Sequence, residues 1–133
     1  MNTTHFLNRV AGNLFGTEVS PAIPTAYYIG LSTTEPAIDG SNVSEPSTGA
    51  GYGRVLLEHL SAPANGVVTN TANINFEEST ASWGTITHFV IYDAASGGNL
   101  LMYGALSTPR VVETSTVMTI RQDYLKLSAQ NPA

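Results

Sequence analysis

Near the N-terminus, apolar residues recur at three- and four-residue spacing: Phe6, Leu7, Val10, Ala11, Leu14 and Phe15. That spacing puts them on one face and predicts an amphipathic helix within residues 1–16. Thr3 or Thr4 supplies a capping hydroxyl, and Gly16 a left-handed stop. So short a helix is marginal alone in water, so its apolar face must dock, either on the chain's own sheet or on a neighbouring subunit. Residues 19–24 carry Pro21 and Pro24 and read as a connector. The pattern then changes to short β-type runs at 26–31, 52–60, 67–69, 72–76, 85–92, 99–106, 115–121 and 124–127. Asn65-Gly66 is a hairpin-turn signal, residues 93–98 form a glycine-rich hairpin loop, and Gln122-Asp123 is a tight junction. Residues 128–133 read as a loose tail.

Seven or eight strands at this spacing predict a mainly β fold: an antiparallel β-sandwich or jelly-roll-like domain with one N-terminal α-helix. One domain is expected over 1–133, with the sandwich in 26–127. Within it, 32–51 is aperiodic, polar and punctuated by Pro36, Asp39-Gly40, Pro46, Gly49 and Gly51, which predicts a long exposed loop.

The hairpin 85–106 is apolar on both faces. Phe89 and Ile91 point one way and Ile86, His88, Val90 and Tyr92 the other; Leu101, Tyr103 and Ala105 oppose Leu100, Met102 and Leu106. A half-solvated sheet would alternate apolar and polar residues, so this one is covered on both sides. The N-terminal helix or another copy of the chain could supply the cover, and the second choice predicts an oligomer. Phe6, Val10, Leu14, Phe89, Ile91, Leu101 and Tyr103 are the candidate contact residues.

Composition narrows the function. Thr, Ser and Asn make up 38 of 133 residues, charged residues only 11%, and 42% of the chain is hydrophobic. Disorder is excluded by that hydrophobic share and small net charge. The net charge of −5, with five scattered cations, argues against nucleic acid. No apolar run approaches a membrane span of roughly 18 residues, and no basic, then apolar, N-terminal stretch reads as a secretory signal. There is no Cys, so disulfides, thiolate metal sites and a Cys nucleophile are excluded.

Candidate chemistry is sparse. His5, His59 and His88 lie in no nucleophile motif, and His88 reads as a hydrogen-bonded core or interface residue. Glu35, Asp39, Asn42 and Glu45 could offer oxygen ligands to calcium but lack the regular loop order, so they read as solvated carboxylates and a possible surface or receptor loop. Gly49-Ala50-Gly51-Tyr52-Gly53-Arg54 precedes a strand and so lacks the context of a phosphate loop. No catalytic, cofactor or metal site is expected. Trp83 reads as a packing anchor, with an aromatic platform for a sugar as the rival reading.

Several segments in order carry a resemblance: Tyr27 through Pro36 (YYIGLSTTEP), Asp39-Gly40, Glu45-Pro46, Gly51-Tyr52-Gly53-Arg54-Val55, Asn73-Ile74-Asn75-Phe76, Ala81-Ser82-Trp83-Gly84-Thr85-Ile86-Thr87, Ile91-Tyr92-Asp93-Ala94 and Gly97 through Gly104 (GGNLLMYG). This series resembles small virion proteins of tailed bacteriophages, usually labelled tail fibre proteins and sometimes head decoration or head fibre proteins. The resemblance spans about 26–127. It implies a non-enzymatic virion structural protein, made in the host cytoplasm, with no catalytic motif to carry over. Its expected partners are itself, as a homo-oligomer with a trimer as the guess, other capsid or tail proteins, and a host surface glycan. A carbohydrate- or receptor-binding module of a phage tail is the alternative. Arg54 is expected to pair with a loop carboxylate and hold the loop on the sheet.

Overall fold

The computed structural model describes residues 1–15 and 26–128. The helix stop at Gly16, the connector 19–24 and the tail beyond 128 fall wholly or mainly outside the described residues. The order is a helix, α1 (Thr4–Phe15), then β1 (Tyr28–Ser32), a 3-10 turn (Thr48–Ala50), β2 (Val55–Leu56), β3 (Val68–Thr69), β4 (Ile74–Asn75), β5 (Gly84–Tyr92), β6 (Leu100–Val112), β7 (Thr119–Ile120) and β8 (Lys126–Leu127). The mainly β, antiparallel architecture with one N-terminal helix is thus the observed one. Four strands form the main sheet in the order β2-β1-β5-β6, and β3-β8 and β4-β7 form two short ladders. The second layer is therefore two small ribbons instead of one continuous sheet.

The main core lies on one face of the large sheet. Ile29 and Leu31 of β1 and Ile91 of β5 have no exposed surface and cluster with Ile74 of β4, Ile120 of β7, Trp83 and Leu125. Alternation along β1 and β5 explains this, because residues two apart share a face. On the opposite face, Val90, Tyr92, Leu100 and Tyr103 pack with Val43 from the loop 32–51. The two-sided cover of the hairpin therefore comes from within one chain, and the loop supplies part of it. The loop is exposed only in part: Pro36 is buried and Val43 half-buried.

Short polar side chains hold the loop by satisfying its backbone. Ser32 Oγ accepts from the amides of Ser44 (3.1 Å) and Thr34 (3.2 Å), Thr34 Oγ1 donates to Asn42 O (2.6 Å), and Asn42 Nδ2 donates to Glu35 O (2.8 Å). Such side chains compete with secondary structure and so order a segment that has none.

The N-terminus is fastened to β6. Thr3 N donates to Leu101 O (2.9 Å) and Tyr103 N to Met1 O (2.9 Å), so residues 1–3 pair with the outer edge of β6 at 101–103. Thr3 Oγ1 accepts from Phe6 N (3.3 Å), which makes Thr3 the helix cap. Phe6 is buried, whereas Leu14 and Phe15 at the far end of the same helix are 70% and 72% exposed.

Two turns follow their residue chemistry. Asn65 and Gly66 both take positive φ, 53° and 76°, as a two-residue hairpin turn requires, and Ala64 and Val67 bond across it. Asp123, at φ 68°, makes the junction before β8. β6 is longer than the run 99–106 suggested. Ile86 pairs with Arg110 but His88 with Ala105, so five steps on β6 answer two on β5 and residues 106–109 loop out of the ladder.

Candidate functional site

The densest polar constellation lies at one end of the large sheet, around Arg54. Its guanidinium grips Glu45 through both carboxylate oxygens, Nε to Oε2 at 3.1 Å and Nη2 to Oε1 at 2.7 Å. Nη1 donates to the carbonyls of Ala94 (2.8 Å) and Gly97 (2.7 Å) in the 93–98 turn. Its Cζ lies 3.6 Å from the centre of the Tyr92 ring, a cation–π distance. One side chain thus ties together the loop 32–51, the end of β5 and the β5–β6 turn. The planar fork explains the choice of arginine, because an ammonium could not pair bidentately and stack as well.

Tyr52 completes the cluster. Its hydroxyl donates to Glu45 Oε2 and accepts from Leu31 N at 3.0 Å. Burial, then the hydrogen bond to Glu45, push its phenol far above the ordinary range. Burial and the Glu45 charge also raise Tyr92. Burial works against the charge on Arg54, but the Glu45 hydrogen bond and charge outweigh it and raise the guanidinium further. Gly30 makes room for this arrangement, because a Cβ there would collide with the Tyr52 hydroxyl and sit 3.2 Å from Val90 Cγ2. The expected tie between Arg54 and a loop carboxylate is therefore present, with Glu45 as the partner.

A second tie joins the helix to the same turn. Arg9 Nη1 meets Asp93 Oδ2 at 3.0 Å, with both side chains mostly buried. Burial opposes ionisation of Asp93, but its bonds to Asn99 and to Arg9 outweigh that, and its pKa lies below the usual carboxylate value. Sequence reasoning missed this pair. An opposite charge 84 positions away leaves no local signal. Asp93 and Asn99 flanking a glycine-rich loop was the readable half of it.

The structure separates the other candidate residues. Ile91 and Leu101 have no exposed surface, Phe6 and Tyr103 are buried, and Val10 and Phe89 are half-buried; only Leu14 is well exposed. Four of the seven therefore pack inside the chain, and Leu14, with half-buried Val10 and Phe89, keeps exposed surface. Of the loop residues, Glu35, Asp39 and Asn42 are exposed, and Glu45 turns inward to Arg54. Asp39 accepts from Ser41 N (3.0 Å) and Oγ (2.6 Å), and these bonds lower its pKa. Among the described residues, no three of His, Asp and Glu come together in a way that could hold a metal ion.

Trp83 is 4% exposed, stands edge-on to Tyr52 with ring centres 5.4 Å apart, and donates its indole N–H to Ala50 O at 2.9 Å. This burial rules out the sugar-platform reading of Trp83 and fits the packing anchor. His88 is half-buried in β5, with Nδ1 2.8 Å from Thr87 Oγ1. Among the described residues, no helix is long and apolar enough to cross a membrane.

No curated protein matches the chain. A family model described as podophage GP4 fiber I protein gp80 matches residues 2–128. The match covers nearly the whole chain, and the chain belongs to that family of phage fibre proteins.

Proposed function

We propose that this fibre-family chain is a non-enzymatic structural subunit on the surface of a phage particle, working as a small symmetric oligomer. The observation that carries the reading is the division of α1. Phe6 at one end is buried where α1 meets the sheet at β6, and Leu14 and Phe15 at the other stand in solvent. A helix that anchors itself at one end and presents bare apolar residues at the other fits a subunit contact. Closed cyclic symmetry is the general expectation for such contacts, and a trimer is the copy number proposed here. The family's description as a fibre protein favours fibre or tail association over capsid decoration.

The partly exposed loop 32–51, with Glu35, Asp39 and Asn42 outermost, is the proposed outward face. Arg54 would keep this face rigid, which suits a surface that must survive outside a cell. Antibody raised against the folded loop should label intact particles in electron microscopy. Particles that contain the protein by mass spectrometry yet take no label would contradict the outward placement.

A further inference from the structure

The loop-out in β6 borders a cavity at the edge of the main core, away from the Arg54 cluster. It lies between the displaced segment 106–109 and β7, with a volume of about 240 Å³. Its floor is apolar, formed by Phe89, Met118 and Leu125. Its remaining walls include Ser107, Thr108, Thr119, Tyr124, Arg110 and Arg121. Tyr124, at its rim, is 68% exposed.

The charge distribution singles this place out. The chain has five cations and ten carboxylates. Arg9 and Arg54 are committed to Asp93 and Glu45. Arg110 and Arg121 are exposed, and among the described residues neither guanidinium makes a hydrogen bond or ion pair. Both line this one cavity, and no Asp or Glu lines it. An acidic protein therefore keeps two unpaired guanidiniums beside a cavity bordered by an interruption of its longest strand pair. Bulges recur where a strand re-aims side chains for function.

We propose that this cavity binds an acidic saccharide: one sugar ring bearing a carboxylate or phosphate, as a unit of a longer glycan. Each wall has a counterpart in that ligand. Guanidiniums match an oxyanion in geometry and charge. The hydroxyls of Ser107 and Thr108 match sugar hydroxyls. The exposed Tyr124 ring offers an apolar face for a pyranose to lie on. The volume falls just below the roughly 300–1,000 Å³ of drug-sized sites, which suits a single ring. Nucleic acid fits poorly, because the net charge of −5 repels a polyphosphate chain beyond this one spot. The proposal rests on the virion-surface reading only for the source of the glycan, the envelope of a host cell.

The test is calorimetric titration of the full chain with a galacturonic acid tetrasaccharide, using maltotetraose as the neutral control and inorganic phosphate as the bare anion. Light scattering of the same samples reads assembly separately. Binding of the acidic sugar is expected at up to about millimolar Kd, weakening with salt, with the neutral sugar at least about tenfold weaker. Arg110→Gln with Arg121→Gln should weaken it by about tenfold or more, and Tyr124→Ala by severalfold. These residues are exposed, so an unchanged thermal unfolding curve is expected for each variant. No heat at about 10 mM sugar, equal binding of the neutral sugar, or bare phosphate binding as tightly would overturn the proposal. So would a change of oligomer mass in the double arginine variant, which would assign the arginines to a subunit contact.

Discussion

Arg54→Ala is the sharpest perturbation of the architecture. The side chain of Arg54 is 8% exposed and that of Glu45 is 19% exposed, so the pair is largely withdrawn from water. Removing one member strands the other, which costs about 3–5 kcal/mol for a buried pair. Two things temper the loss. Glu45 keeps some contact with water, and the Gly97 carbonyl sits in an exposed turn where water can replace the lost donor. A loss of about 3 kcal/mol is therefore expected, to which the stack on Tyr92 contributes. That corresponds to a fall of about 10 °C in Tm for a chain of this size. Urea denaturation reads the free energy directly.

Hydrogen exchange then locates the effect. Thr33 N donates to Ser44 O, and Ser44 N donates to Ser32 Oγ, so these two amides report on the loop. Their exchange should quicken by roughly a hundredfold where local opening limits it. The double variant Arg54→Ala with Glu45→Ala should cost less than the sum of the single changes, by about 2 kcal/mol, because no carboxylate is then stranded. A loss below about 1 kcal/mol with unchanged exchange at Thr33 and Ser44 would refute the view that Arg54 holds the loop on the sheet.

Other substitutions test the surrounding packing. Gly30→Ala should destabilise by about 1–3 kcal/mol, since the added methyl drives the Tyr52 hydroxyl off Leu31 N; unchanged melting would show that Tyr52 moves freely. Trp83→Phe should cost about 1–2 kcal/mol through the lost bond to Ala50 O, and Trp83→Ala about 3–5 kcal/mol through the cavity left behind. Denaturant midpoints that fail to separate these two variants would count against the anchor assignment. Acid should loosen the tie between α1 and the 93–98 turn. The folded pKa of Asp93 lies below its unfolded value, so its stabilisation is complete above the unfolded value of about 3.9 and is lost as pH falls through the folded one. Asp93→Asn should flatten that part of the stability–pH curve, and a curve of unchanged slope would contradict the assignment.

How legible this structure is in the sequence depends on how local each cause is. The helix was readable because six apolar residues repeat at helical spacing and a threonine stands at its start. The Asn65-Gly66 turn was readable because positive φ selects those residues. The two-sided burial of β5 and β6 followed from apolar residues at consecutive positions. What covers that second face was not readable, because Val43 is one of a few apolar residues scattered in a polar loop and its seat on the sheet is set by Ser32, Thr34 and Asn42 acting across the loop. The end of β6 was missed for a related reason. Residues 106–109 leave the ladder and Arg110 rejoins it, so no alternation survives across the break. Within the polar cluster, Arg54 with a loop carboxylate could be expected from the scarcity of cations. Which carboxylate, and the part played by Tyr92, depend on contacts between distant segments. The candidate contact residues divided along the same line, since an apolar pattern marks a face for burial without saying whether a loop or a second chain buries it.

The central claim is that the bare end of α1 joins copies of this chain. Light scattering of the purified protein across a dilution series, with Leu14→Asp and Phe15→Asp alongside, tests it most directly. Both side chains are exposed within one chain, so the variants should fold and melt as the parent does. The account predicts a stable oligomer, of three copies on the proposal made here, that falls to monomer mass in the variants. A parent that is monomeric at every concentration, or variants that keep the parent's oligomeric mass, would contradict it.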